Sequence, residues 1–183
     1  MNKNDVVLNG VYWDGKLGLR RIVRVDVPPS DLKYHGSGAN GDQDFVEYTI
    51  VHAKATQPFY RQGEPNFCTR ASMASWAKAR IPEEDVAAKK ANLVAQSVKV
   101  SKAASELMFS LSPHGPHAVI LQPGKARIAR TLVPNGLVIM TGNAARLDEA
   151  GWAWLALQSQ QPKPSIEDPS APQVPSVKRS RLR

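Results

Sequence analysis

Residues 125–151 read KARIARTLVPNGLVIMTGNAARLDEAG, and the parsing of this stretch orders the rest of the chain around it. Lys125–Val133 has the spacing of an amphipathic helix. Ile128, Ala129, Leu132 and Val133 form one face, and Lys125, Arg127, Arg130 and Thr131 fall around the other sides. Pro134-Asn135-Gly136 stops it, since proline cannot continue a helix and glycine accepts the left-handed conformation that ends one. Leu137–Met140 is a compact strand. Thr141-Gly142-Asn143 is a hairpin turn whose glycine and asparagine tolerate positive φ, and Ala144–Leu147 is the return strand. Asp148 is placed to cap a closing helix, Glu149–Gln158, with Trp152 and Leu155 on one face.

Upstream, Leu107, Met108 and Leu111 continue an apolar helical face from Ala104, and Ser112-Pro113-His114-Gly115 ends it. Pro116 suits the first position of a short helix. Ala118-Val119-Ile120-Leu121 makes that segment apolar and, on this reading, buried. Pro123-Gly124 then forces a turn. The predicted order is helix, short helix, turn, basic helix, hairpin, helix.

Arg127–Val138, followed by Ala145-Arg146-Leu147-Asp148-Glu149-Ala150-Gly151, resembles the winged-helix domain of bacterial transcription regulators. In that family a recognition helix leads into a Gly-Leu-Val strand and a wing, and the chain returns through Arg-Leu-Thr-Glu-Ala-Gly to the last helix. Asp148 stands where threonine is usual, which keeps a capping oxygen. The resemblance spans residues 105–160. It implies binding of double-stranded DNA by the helix around Lys125–Leu132, with Asn143 at the wing tip near a flanking groove or backbone. Lys125, Arg127, Arg130 and Thr131 are then the contact residues, because arginine pairs bidentately with guanine in the major groove. The helix is short for this task, and the wing tip carries no arginine or lysine. Winged helices also serve as protein-interaction modules, so an adaptor or inhibitor engaging an acidic partner protein is the rival reading.

The first 82 residues are rich in glycine, aromatic and β-branched residues. Strands are expected at Gly10–Trp13, Arg20–Val27, Phe45–Ala53 and Phe67–Thr69, where Val23 and Val25 alternate with Arg24 and Asp26. Asp14-Gly15, Pro28–Asp31 and the glycine-rich Gly36–Asp42 are turn signals. Ser72–Arg80 reads as a short helix capped by Ser72 and ended by Pro82. The order suggests a small barrel of SH3-like or Tudor-like type, similar to small proteins of bacterial mobile elements. Tyr12, Trp13, Tyr34, Tyr48 and Tyr60 are read as its core rather than as a binding surface.

Residues 83–104 form a helical connector, with one helix through Val86, Lys89, Lys90, Leu93 and Val94 and a break near Val98–Ser101. Residues 161–183 combine prolines and serines with the ending Lys178-Arg179-Ser180-Arg181-Leu182-Arg183. That composition reads as a disordered basic tail, in which Lys178, Arg179 and Arg181 add salt-sensitive affinity for DNA. The fold class is therefore α+β: an SH3-like β-barrel over 1–82, the connector over 83–104, a winged helix over 105–160 and the tail.

Composition agrees with a nucleic-acid partner. The formal net charge of the 183 residues is +8, and phosphate contacts reward such a balance through counterion release. No apolar run reaches the roughly 18 residues that would span a bilayer, and the start lacks a signal-peptide core, so a cytoplasmic protein without membrane contact is expected. The single cysteine, Cys68, excludes an intramolecular disulfide and reads as a buried thiol. His114-x-x-His117 lacks further ligands for a metal, Pro123-Gly124-Lys125 lacks most of a phosphate loop, and Glu83-Glu84-Asp85 suits a helix start. No enzyme activity, cofactor or metal is expected. A homodimer through the helices between Val86 and Leu111 is compatible with this reading.

Overall fold

A computed structural model describes residues 1–32, 44–53 and 65–160. The chain is mixed α+β, with two antiparallel sheets and five α-helices among the described residues. The first sheet contains β1 (Val11–Trp13), β2 (Leu19–Val27), β3 (Phe45–His52), β4 (Asn66–Thr69) and β5 (Ala79–Ile81) in the order β4-β3-β2-β1-β5. Four strands follow one another as a meander. The fifth returns to pair with β1, Val11 opposite Ile81.

The predicted closed barrel is not found among the described residues, because β4 and β5 remain the two edges of an open sheet. Helices cover both faces instead. On one side Tyr12, Ile22, Val46, Tyr48 and Ile50 pack against Met73, Ala74 and Ala77 of the α1 region (α1, Arg70–Trp76). On the other, Val11 and Leu19 pack against Val86 and Leu93 of α2 (Val86–Ser97). Alternation along β3 makes this possible: Val46, Tyr48, Ile50 and His52 are buried, with half-buried residues between them. As expected, Tyr12 and Tyr48 belong to the core. Tyr34, Tyr60 and the glycine-rich segment lie outside the described residues.

The fully buried Tyr12 hydroxyl donates to the Asp5 carbonyl (2.7 Å) and accepts from the Val7 N–H (2.9 Å), which fastens the N-terminal segment to the sheet. Arg70 fastens the bent part of β2. Its Nε donates to both Asp44 carboxylate oxygens (2.8 and 2.9 Å), Nη1 to the Val6 carbonyl (2.8 Å) and Nη2 to Asp26 (2.7 Å). Asp26 sits at φ +53, a left-handed conformation that aspartate tolerates better than most residues.

The expected helix Ser72–Arg80 is corrected at both ends. Thr69, not Ser72, is the N-cap, accepting from the Ser72 N–H, and α1 stops at Trp76. Ala79–Ile81 becomes a strand because Lys78 N–H donates to the Trp13 carbonyl (2.8 Å), drawing the chain onto the free edge of β1.

The connector breaks where the sequence predicted. α2 ends at Ser97, and α3 (Lys102–Leu111) begins under a Ser101 cap. α2 is more than a connector, since Val86 and Leu93 join the sheet while Ala91 and Ala95 join the second core. A boundary at 104/105 falls inside α3.

The second core gathers α3, β6 (Val119–Ile120), α4 (Pro123–Leu132), β7 (Val138–Thr141), β8 (Ala144–Leu147) and α5 (Glu149–Gln160). The predicted short helix after Pro116 is overturned. Ser112–His114 is a 3-10 turn, and residues 119 and 120 are a strand paired with Ala145 and Ala144, giving the sheet order β6-β8-β7. Gly115 takes φ +58, and after Pro116, His117 and Ala118 the chain joins β8 at Val119. Only Leu121 of the apolar run is buried, because a strand alternates its faces; Ile120 is 84% exposed. Pro123-Gly124 does not form a turn before α4 but is its first turn, with Pro123 at the start.

The α4 core face is Ala126, Ala129 and Leu132, with Ile128 half-buried, whereas Val133 is exposed. The hairpin forms as expected, with Gly142 at φ +62. Asp148 caps α5, its Oδ1 accepting from the Glu149 N–H (2.8 Å). Trp152 and Leu155 do not share the buried face. Trp154 and Leu155 are buried with Ala150 and Gly151, and Trp152 is exposed.

Candidate nucleic-acid interface

The residues singled out between 125 and 143 are all exposed, and the fold brings some of them together. At 3.6 residues per turn, Arg130, Arg127 and Thr131 lie within about 100° of helical arc, opposite the buried Ala126–Ala129–Leu132 face. Lys125 lies on the other side of the first turn and does not share that arc. It lines a cleft of about 290 Å³ with Leu111, His114, Ile120 and Gln122.

The Arg130 Nη2 donates to Asn143 Oδ1 (3.1 Å), so the end of α4 and the tip of the hairpin meet. The Asn143 carbonyl accepts from the Leu121 N–H (2.9 Å), tying the same turn to the end of β6. The end of α4, the hairpin tip and the end of β6 thus meet at Asn143. Thr131 contributes less polarity than its position suggests, because its hydroxyl donates to the Ile128 carbonyl (2.7 Å). Lys178, Arg179 and Arg181 lie outside the described residues.

No aspartate or glutamate occurs between Glu106 and Asp148, while Lys125, Arg127, Arg130 and Arg146 all fall in that interval. This part of the chain therefore contributes no carboxylate to the surface around α4. Of these cations only Arg130 has a described side-chain partner, and that partner is neutral. Several cations of the first half are paired with carboxylates instead: Arg21 and Arg24 of β2 with Glu83 (2.7 Å) and Asp31 (2.9 Å), and Arg70 of α1 with Asp26 and Asp44. An unpaired cationic surface lowers the free energy of a polyanion brought against it. The acid-free interval was legible in the sequence as a gap in the charge pattern, whereas the Arg130–Asn143 meeting needed the hairpin's position.

A second concavity lies at the end of the first sheet, a cleft of about 300 Å³ lined by Asp14, Lys16, Arg20, Ile50, His52 and Trp76. The Arg20 guanidinium sits 4.0 Å from the Trp76 ring centroid and 4.6 Å from that of Tyr48. Sequence reading passed over this group because its members are far apart in the chain. His52 is buried, and its Nε2 has no hydrogen-bond partner among the described residues. Burial pushes its pKa below the ordinary histidine value, and the charge of Lys90 on α2 adds to the effect.

The unfolded chain therefore takes up a proton at His52 that the folded chain refuses. Folding stability is full above the unfolded pKa of about 6.5 and falls as pH drops below it, until the folded pKa is passed. His52→Leu is expected to remove this part of the dependence. Urea midpoints at pH 7.5 and 5.5 check it, and an equal loss in wild type and variant would refute it.

Cys68 is half-buried, and burial pushes its thiol up to about 11, which leaves it a poor nucleophile. Among the described residues no group of three or more His, Cys, Asp or Glu side chains is placed to hold a metal ion, and no helix is long and apolar enough to cross a membrane. No family model, curated protein or solved structure matches the chain.

Proposed function

We propose that the protein binds double-stranded DNA through residues 105–160 acting as a winged helix, with α4 entering the major groove and the β7–β8 hairpin lying beside it. The observation that carries this reading is the carboxylate-free interval 107–147, in which Arg127 and Arg130 share one exposed arc of α4 and Arg130 is joined to the hairpin tip at Asn143. Arg127 is the base-reading residue. Arg130 both meets the duplex and holds the hairpin to the helix. Lys125, on the other side of the first turn, takes a phosphate, and the Lys178–Arg183 tail adds affinity without sequence information. A regulatory role on a bacterial mobile element or in its host is the biological setting we assign.

The strand order β4-β3-β2-β1-β5, with α1 before the last strand, supports an SH3-like ancestry for the first sheet. The Arg20–Trp76 cleft favours a second reading, in which this part engages a partner protein and the chain is an adaptor. Fluorescence-anisotropy titration of the full chain with a mixed-sequence duplex separates the two. The DNA reading expects binding at physiological salt, with an affinity that falls steeply and log-linearly as salt rises. Absence of binding at low and physiological salt would reject it in favour of the adaptor.

A further inference from the structure

At 84%, Ile120 is the most exposed large apolar side chain of the described residues. It lies opposite Ala144 on β8, and Ala144 lies opposite Thr141 on β7, so the three form a row across the outer face of the small sheet. Arg146, paired with Ile139, is in the next row of the same face. Val119, Ala145 and Met140 alternate to the inner side and join the core. The row ends beside the hairpin tip, whose Asn143 accepts from the Leu121 N–H and from Arg130.

Charge argues for what covers this row. Ile120 shares its cleft with Lys125, Arg146 is in the next row of the same sheet face, and the interval from Glu106 to Asp148 has no carboxylate between its ends. The occupant that fits combines apolar surface for Ile120 with negative charge for Lys125. A duplex does offer that combination, because the apolar edges of its deoxyriboses run between rows of phosphates.

We propose that Ile120 packs against deoxyribose edges beside the groove entered by α4, so that β6 extends the DNA footprint past the helix. This inference rests on the DNA-binding reading above. It adds an apolar contact that the charge of the chain does not reveal. Such a contact releases no counterions and so leaves a different thermodynamic mark from that of an arginine.

The test is the affinity of full-length Ile120→Ser and Ile120→Leu for a mixed-sequence duplex over a range of salt concentrations. Ile120→Ser is expected to bind about tenfold more weakly, with the slope of log affinity against log salt unchanged. Ile120→Leu keeps the apolar contact and is expected to stay within about twofold of wild type. Both substitutions are at an exposed position, and unchanged thermal unfolding verifies that the fold is kept. Wild-type affinity in Ile120→Ser overturns the proposal and leaves the roles of Arg127 and Arg130 standing, as does a loss accompanied by a shallower slope. Altered sedimentation of Ile120→Ser with unchanged DNA affinity also overturns it, assigning the row to a contact between copies of the chain. Failure of the wild-type chain to bind any duplex rejects the DNA reading itself, and this proposal with it.

Discussion

Arg127→Ala combined with Arg130→Ala is expected to weaken binding of duplex DNA by about a hundredfold, and to flatten its salt dependence by roughly two charges' worth of slope. Both side chains are exposed and neither is held by a carboxylate, so little folding energy is lost with them. Thermal unfolding should stay within a degree or two of wild type, roughly the scale of a surface substitution. The single variants divide the effect. Arg127→Ala should lose one charge of slope and relax sequence preference. Arg130→Ala should also free the hairpin tip, an effect that Asn143→Ala reproduces without removing a charge. Anisotropy titrations across salt concentrations measure all four variants, and a double variant with wild-type affinity would eliminate α4 as the contact element.

Gly151→Ala is expected to destabilise the protein by about 3 kcal/mol, lowering Tm by roughly 10 °C. A Cβ at this position would run into the Leu137 carbonyl oxygen and come within 3.2 Å of Leu147 Cδ2. The carbonyl has no freedom to retreat. It accepts from the Asp148 N–H (3.1 Å), while the Leu137 N–H donates to the Leu132 carbonyl (3.2 Å). The better helix propensity of alanine, about 1 kcal/mol, offsets only part of the clash. Gly124→Ala is the control: nothing lies within 4 Å of its would-be Cβ, so it should leave stability unchanged or raise it by a few tenths of a kcal/mol. Denaturant unfolding of the two variants side by side measures the difference. Equal stability would show that α5 does not rest on the start of β7 as described. The glycine in the Asp148-Glu149-Ala150-Gly151 segment thus has a packing reason for being there.

How far each element was legible depended on whether its signal was local. Periodicity and caps are local, and they located α2, α3, α4, the β7–β8 hairpin and the Asp148 cap from the sequence. So did the break at Val98–Ser101, where β-branched residues disfavour a helix and Ser101 starts the next one. The candidate contact residues were legible for the same reason, since exposed cations on an amphipathic helix follow from its apolar face.

The misreadings occurred where a partner distant in sequence decided the conformation. Ala118–Leu121 is an apolar run too short to choose between helix and strand by itself. Pairing with Ala144 and Ala145 made it a strand and turned Ile120 outward. Ala79–Ile81 looked like the end of a helix until the free edge of β1 claimed it. Among the described residues the expected barrel is an open sheet whose two faces are covered by α1 and α2, and the position of α2 depends on contacts from both cores. Trp154, and not the expected Trp152, shares the buried face with Leu155 because α5 turns its Trp154 side to α3, where that ring meets Phe109 edge-on at 6.3 Å.

What the sequence determined by itself is the helices α2 to α5, the hairpin and an acid-free basic stretch, because dihedral preference, periodicity and charge act over a few neighbouring residues. Only the tertiary structure decided the strand pairings, the Arg130–Asn143 junction and the exposure of Ile120. Each of these depends on residues that meet through space, and pairing can override the weak preference of a short segment.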